Sequence, residues 1–475
     1  MAAGASTDEE VFGRLRQAVA HHRAGRIGDA LTLYRAVLAD RPDNRDALNL
    51  GGMAAFQRGD AATALSMLGK AASVYPDFAD AQANYATVLL AQDQAGAAES
   101  ACRRALDVDP NNLTALFTLA NLLRMRDQLD DAADLYRRVL ALAPDYVEAR
   151  ANLANVLGER GALAEAAATY REALAARPDP EIMKNLANVL QELGALDEAI
   201  AMYRRSIAGR PDLGESYNGL TNALMQKGDV DGAVRACRAH RDVDPGGMRA
   251  LANEAMLLNE IGDREAAGRL LDFDRLLAVR TLDPPPGYAD RAAFHAALIG
   301  ALQAHPSLRF EPNHSTTRQG HQTPDLTKQR YSGPIGDLLS MIERAVAERV
   351  RAIDRDPEHP FLADPPARWR LNVWGTLLTG GGHQLPHIHP FGWMSGVYYA
   401  RLPDVVDPSA EPEAGWIEFG RPGADFHCRA EPLTRLVRPH EGMIVMFPSY
   451  FYHRTVPFSD DTLRVSVAFD VVRAN

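Results

Sequence analysis

Three histidines and one arginine in the C-terminal part of this chain have the residue types and spacing of a metal centre. His387 and His389 flank Ile388, His453 follows much later, and Arg464 lies eleven residues beyond it. Imidazole is the commonest metal ligand among side chains, and three of them leave coordination positions open on a six-coordinate ion. A guanidinium close by offers a planar fork for a carboxylate. Together they describe a metal site that works on, or with, an anionic small molecule.

Such residues need strands to hold them. Segments 395–399, 416–419, 443–447 and 463–471 alternate with period two, and 368–378 precedes them as the first clear core strand. Alternate side chains of a strand share a face, so His387 and His389 can point into the mouth of a closed sheet. Arg464 and Ser466 fall on one face in the same way.

His387, Ile388, His389 and Pro390, then 395–399 (Ser-Gly-Val-Tyr-Tyr), Phe447, Pro448, His453, and Arg464 with Val465 and Ser466, resemble the 2-oxoglutarate/Fe(II) oxygenase family. Upstream, Thr316 to Gly320 with Gln322 and Thr323 match a further family pattern. The resemblance implies a double-stranded β-helix (jelly roll) with Fe(II) as cofactor and 2-oxoglutarate as cosubstrate. It implies His387, His389 and His453 as metal ligands, Arg464 as the anchor of the far carboxylate, and Ser466 and Tyr399 as further cosubstrate contacts. Most relatives use an acid where this chain has His389. A carboxylate brings charge to a hard cation, whereas imidazole is neutral and suits several metals, so the centre is more positive than usual. His389 is either the third ligand or stands behind a two-histidine site completed by water.

Two other readings use the same residues. A three-histidine cupin dioxygenase fits Gly381 followed by His387 and His389, but the cupin glutamate is absent and Arg464 has no role there. A non-catalytic scaffold with a degenerate barrel fits the missing acid. His383, in a glycine-rich loop, is read as a loop or substrate-side residue, and His427 and His440 as surface.

The bulk properties limit the rest. With 475 residues, two or more domains are expected, and a net charge of -11 argues against nucleic-acid or anionic-membrane binding. Cys102, Cys237 and Cys428 lie far apart, which indicates neither a disulfide framework nor a structural zinc site. The acidic start (Asp8, Glu9, Glu10) is not a signal peptide and no run is long enough to span a bilayer, so a cytoplasmic location is expected.

Residues 10–277 repeat. Pro42, Pro76, Pro110, Pro144, Pro178, Pro211 and Pro245 recur every 34 residues with one step of 33. A small residue stands twelve before each proline and a larger one eight before, as in Ala132 and Tyr136 or Ala98 and Cys102. This is the tetratricopeptide pattern, with seven clear units and a weaker capping one around Ala267 and Leu271. Small residues let paired helices approach, and the pairs stack into a superhelix with a concave channel. Cys102 and Cys237 take the large core position, which assigns them to packing.

Asn84, Asn121, Asn152, Asn155, Asn185, Asn188 and Asn222 recur on the first helices of the units. A carboxamide both donates and accepts, so a ladder of them can hold an extended peptide backbone without reading its sequence. In this the repeats resemble those of the O-linked N-acetylglucosamine transferase family. The competing reading has the amides bond to one another and stiffen the array.

The expected architecture is multidomain α + β: an all-α tetratricopeptide superhelix over 10–277, a linker and flanking helices over 278–365, and a double-stranded β-helix over 366–475. Within the middle part, 290–304 and 334–353 read as helices. A protein or peptide is the expected partner and substrate; the oligomeric state is not encoded in any feature of the sequence.

Overall fold

A computed structural model describes residues 7–312, 316–406, 413–424, 426–459 and 462–474. The chain divides into two compact units, 1–195 and 196–475.

The first unit is a stack of antiparallel helix pairs, from Asp8–Arg23 to Pro180–Glu192. The small positions are sealed: Ala30, Ala64, Ala98, Ala132 and Ala166 are fully buried, with Tyr34, Leu68, Cys102, Tyr136 and Tyr170 packed beside them. Helix starts are fixed by side chains such as Asn44 and Asn112, which accept from backbone N–H groups three residues on. The turn inside each pair needs a left-handed residue. Glycine supplies it at most pairs, and Asp93 and Asp127 adopt the same conformation (φ 57° and 62°) in the two where glycine is absent.

The second unit opens with the remaining repeats, through Met248–Glu260 and the short Arg264–Leu270, and continues into the β region. Its strands are β1 (Ala278–Thr281), β2 (Arg309–Phe310), β3 (Thr317–Gln322), β4 (Trp369–Gln384), β5 (Met394–Arg401), β6 (Ile417–Phe419), β7 (Arg435–Val437), β8 (Met443–Pro448), β9 (His453–Thr455) and β10 (Arg464–Arg473). One sheet has the order β1-β8-β5-β10-β4-β3-β2 and the other β7-β6-β9, and every pairing is antiparallel. Helices Arg291–Gln303 and Pro334–Arg351 flank the larger sheet. Leu302 of the first packs so closely on Gly375 of β4 that a Cβ there would lie 2.9 Å from its methyl group. The fold class is therefore the expected one, an all-helical tetratricopeptide region followed by an antiparallel β region.

Two details differ from the sequence expectation. The stretch 278–365, read as linker and flanking helices, also supplies β1, β2 and β3 to the larger sheet. β1 and β2 are the edge strands and β3 lies between β2 and β4, and none of the three shows an alternation of buried and exposed residues that would carry a period-two signal. His383, read as a loop residue, lies in β4 opposite Arg318, because the strand continues through the glycines. An irregularity in the β3–β4 register accommodates them, with Gly381 at φ 80° and Gln319 at φ 50°.

The compact division falls at 195/196 and not at the end of the repeats, because the last repeats are tied to the β region. Tyr450 donates its hydroxyl to the Leu270 carbonyl (2.6 Å), Asn259 donates to the Glu431 carbonyl (2.9 Å), and Glu260 accepts from the N–H groups of Arg429 and Ala430. Phe273 packs edge-on against Phe451.

Candidate metal centre

Two elements bring the histidines together. The segment after β4 runs beside β9: His387 and His453 exchange both backbone hydrogen bonds, at 3.1 and 3.0 Å, and His389 N–H donates to the Ser449 carbonyl. The ring centroids are 4.2 Å apart for His387 and His453 and 5.0 Å for each of the other two pairs. One nitrogen from each ring lies within 4.8 Å of the others.

The rings are also fixed in rotation. Nδ1 of His387 faces the Leu385 carbonyl (2.7 Å), Nδ1 of His453 faces the Phe451 carbonyl (3.0 Å), and Nδ1 of His389 meets Asp470 Oδ1 at 2.7 Å. An acceptor at each Nδ1 keeps the proton there and leaves the Nε2 lone pair free. Nε2 of His389 and His453 stand 3.3 Å apart with no bridging donor required. Trp374 stacks on His389 and Phe447 packs on His453, which limits ring motion.

Burial, reinforced by the neighbouring His389, pushes the His387 imidazolium down to about 3. His453 is likewise held well below the usual range by burial and by its two neighbours. Both rings are neutral at pH 7, the form that ligates metals.

Arg464 begins β10 and is 2% exposed. Its guanidinium lies against the Tyr399 ring and donates weakly to Thr455 Oγ1 at 3.4 Å, while Nε has no partner. No carboxylate forms an ion pair with it among the described residues. A buried, uncompensated cation is costly, and the cavity beside it is where an anion would offset that cost. Burial pushes the Tyr399 hydroxyl up to about 12, so the tyrosine stays neutral there. Ser466 faces the same cavity, paired across the strands with Tyr399.

The three histidines and Arg464 all line the cavity, which has a volume of about 270 Å³. That is near the lower end of ligand pockets, about 300 Å³. The donor set fits a divalent transition metal: three imidazoles whose Nδ1 atoms each face an acceptor, which leaves Nε2 of each to a cation. The orphaned Arg464 Nε fits a carboxylate-bearing molecule beside it.

Asp470, Trp374 and Thr455 complete the site and were not foreseen. Asp470 had one available signal: Arg464, Ser466, Ala468 and Asp470 alternate along β10 and all line the cavity.

The asparagines behave differently from a set of free amides. In the first unit Asn84 donates to Asn49 (2.9 Å), Asn152 to Asn121 (3.0 Å) and Asn185 to Asn155 (3.3 Å), tying successive repeats together, and Asn155 donates to Asn152 within one helix (3.3 Å). Asn188 is exposed. In the second unit Asn222 is half-buried with an unpartnered Oδ1, and Asn253 donates to Asn218. His427 and His440 are exposed, as expected. Burial raises the thiols of Cys102 and Cys237 to about 12, which makes them unreactive.

Comparison with known proteins assigns classes to these parts. Residues 372–470 match the family described as "Putative 2OG-Fe(II) oxygenase", and residues 55–119 with 123–190, and 15–72 with 184–247, match two tetratricopeptide-repeat models. No curated protein matches the chain. Similar solved structures include Pseudomonas aeruginosa pilF (22% identity, 44% of this chain and 96% of that one, TM-score 0.40). Another is YrrB, a TPR protein with an unusual peptide-binding site (20%, 39% and 95%, TM-score 0.34). A third is a tetratricopeptide repeat protein from Parabacteroides merdae (15%, 50% and 94%, TM-score 0.40). By the family matches, the N-terminal region carries tetratricopeptide repeats and residues 372–470 carry a domain matching the family described as "Putative 2OG-Fe(II) oxygenase", whose name implies Fe(II) and 2-oxoglutarate. Tetratricopeptide repeats in general mediate protein–protein contacts. Among the described residues no helix is long and apolar enough to cross a membrane.

Proposed function

We propose that this protein is a 2-oxoglutarate- and Fe(II)-dependent dioxygenase that hydroxylates a protein or peptide recruited by its repeats. The observation that carries the reading is the pairing of a three-imidazole cluster, each ring held by its Nδ1, with a buried guanidinium that lacks an anion in the same cavity.

His387, His389 and His453 would hold the metal through Nε2, and the bound ion would supply oxygen activation coupled to cosubstrate oxidation. Arg464 binds the distal carboxylate of the cosubstrate, with Ser466 and Tyr399 shaping its bed. Trp374 and Phe447 exclude water from one side of the cavity. The repeats supply substrate at high local concentration, which removes the need for a deep sequence-reading pocket at the barrel.

The test is anaerobic loading with Fe(II) followed by O2 and 2-oxoglutarate, with succinate as the readout. Succinate release that is abolished in His453→Ala and Arg464→Ala is expected. A wild-type protein that binds neither the ion nor the cosubstrate overturns the reading and leaves the scaffold alternative.

A further inference from the structure

The chain places a histidine where most relatives place an acid, yet a carboxylate stands directly behind that histidine. Asp470 Oδ1 lies 2.7 Å from His389 Nδ1, and the two side chains are 14% and 11% exposed. The same oxygen accepts a second hydrogen bond, from Ser395 Oγ at 2.7 Å, and Ser395 in turn meets Ser449 Oγ at 2.7 Å. His389 N–H is bonded to the Ser449 carbonyl, so backbone and ring of His389 are held from the same corner. The cross-strand pairing of Asp470 with Ser395 in the β5–β10 register sets this geometry, and it does not depend on a flexible loop.

The other two rings rest on backbone carbonyls, which are neutral acceptors. Only His389 rests on a carboxylate among the described residues. A negative acceptor at Nδ1 polarises the imidazole and strengthens Nε2 as a donor more than a carbonyl does. From these relations we infer that Asp470 is a positioning residue that returns to the metal centre, through the His389 ring, the negative charge its ligand set lacks. His389 is then the strongest donor of the three and a ligand in its own right.

This rests on the proposed metal-dependent reading, and the two can fail separately. Because one oxygen takes both hydrogen bonds, an asparagine can keep both with its carbonyl. Asp470→Asn therefore removes the charge and keeps the positioning, whereas Asp470→Ala removes both.

The experiment measures Fe(II) and Co(II) affinity of the full chain by anaerobic chelator competition, alongside melting of the metal-free protein. The Co(II) absorption spectrum and the Fe(III)/Fe(II) potential are recorded on the loaded forms. Expected is a loss of affinity of about 10-fold or more in Asp470→Asn, within the range of about 10–100-fold for outer partners of metal-bound histidines. Its metal-free melting is expected to stay near wild type and its potential to rise. Asp470→Ala should lose more. A purely structural role predicts wild-type affinity and potential in Asp470→Asn, and that result overturns the inference. If Asp470→Ala fails to fold, the asparagine variant alone decides. Failure of the wild type to bind either ion sinks the proposed function instead.

Discussion

The Arg464 guanidinium sits 5.2 Å from the centroid of the Tyr399 ring, with its Nε unpartnered. Arginine on an aromatic face keeps its in-plane donors free, here toward the cavity. Replacing it by methionine keeps the bulk and removes the fork. Arg464→Met should weaken 2-oxoglutarate binding by about 100-fold, the equivalent of two charge-assisted hydrogen bonds of about 1.5 kcal/mol each. Titration calorimetry on metal-loaded protein measures it. The metal-free variant should melt no lower than wild type, since an unpaired buried charge has gone.

Metal should stabilise the folded chain. With free ion at 100 times its Kd, the gain is about 2.7 kcal/mol, visible as a rise in melting temperature. His387→Ala and His453→Ala should lose that rise, and their metal content by emission spectroscopy should fall to a small fraction of wild type. A melting curve of either variant that still responds to the ion would show that the three rings are not its ligands.

Gly396 is a packing requirement of β5. A Cβ there would lie 2.3 Å from the Phe469 ring and 2.7 Å from the Val445 carbonyl, one on each neighbouring strand. The carbonyl cannot give way without breaking the ladder. Gly396→Ala should destabilise the second unit by about 2 kcal/mol or more, read from urea unfolding.

The amide chain can be divided into stiffening and gripping members. Asn121 Oδ1 accepts from both Asn152 and the Tyr136 hydroxyl, so Asn121→Ala takes an acceptor from a buried hydroxyl and a half-buried amide. A loss of about 1–3 kcal/mol in the stability of the first unit is expected. Asn188 is exposed, and Asn188→Ala should cost less stability than Asn121→Ala. If the ladder grips substrate, Asn188→Ala weakens binding of a model peptide by several-fold in fluorescence anisotropy; equal binding removes Asn188 from the proposed contact set.

Acid should loosen the second unit. His240 is buried and stacked on Tyr217, and His359 is buried near the Arg269 carbonyl; burial lowers both below the usual imidazole value. Below about pH 6.5 the unfolded chain takes up protons that these folded rings refuse. Stability is then complete above that pH and declines as pH falls, by up to about 1.4 kcal/mol per pH unit for each ring. Unfolding midpoints between pH 8 and pH 5 test the sign.

The repeats were legible because seven phased prolines and paired Ala/Tyr positions leave little freedom, and the same phase reappears in the left-handed turn residues from Gly25 to Gly262. The strand bearing Arg464 was legible through period two, whereas His387 lies in an isolated bridge after β4 and His453 opens the three-residue β9, so those two were legible through the family pattern alone. Asp470 was overlooked because an acid near a strand end is usually solvated, although its alternation with Arg464, Ser466 and Ala468 puts it on the cavity face. The amide pairing of the asparagines was equally invisible, since one carboxamide serves a neighbour or a ligand with the same atoms. Strand β1 was missed because its four residues carry no alternation of buried and exposed side chains.

That strand has a practical effect on how the protein can be cut. β1 covers the open edge of β8, from Ala278 opposite Met446 to Thr281 opposite Met443, and it arrives directly from the last repeat helices. A fragment starting at residue 290 or 366 would present a bare, wholly apolar strand to solvent, an invitation to self-association. The shortest fragment of the β region worth expressing therefore begins upstream of Arg264, inside what a division by motif would have discarded as adaptor.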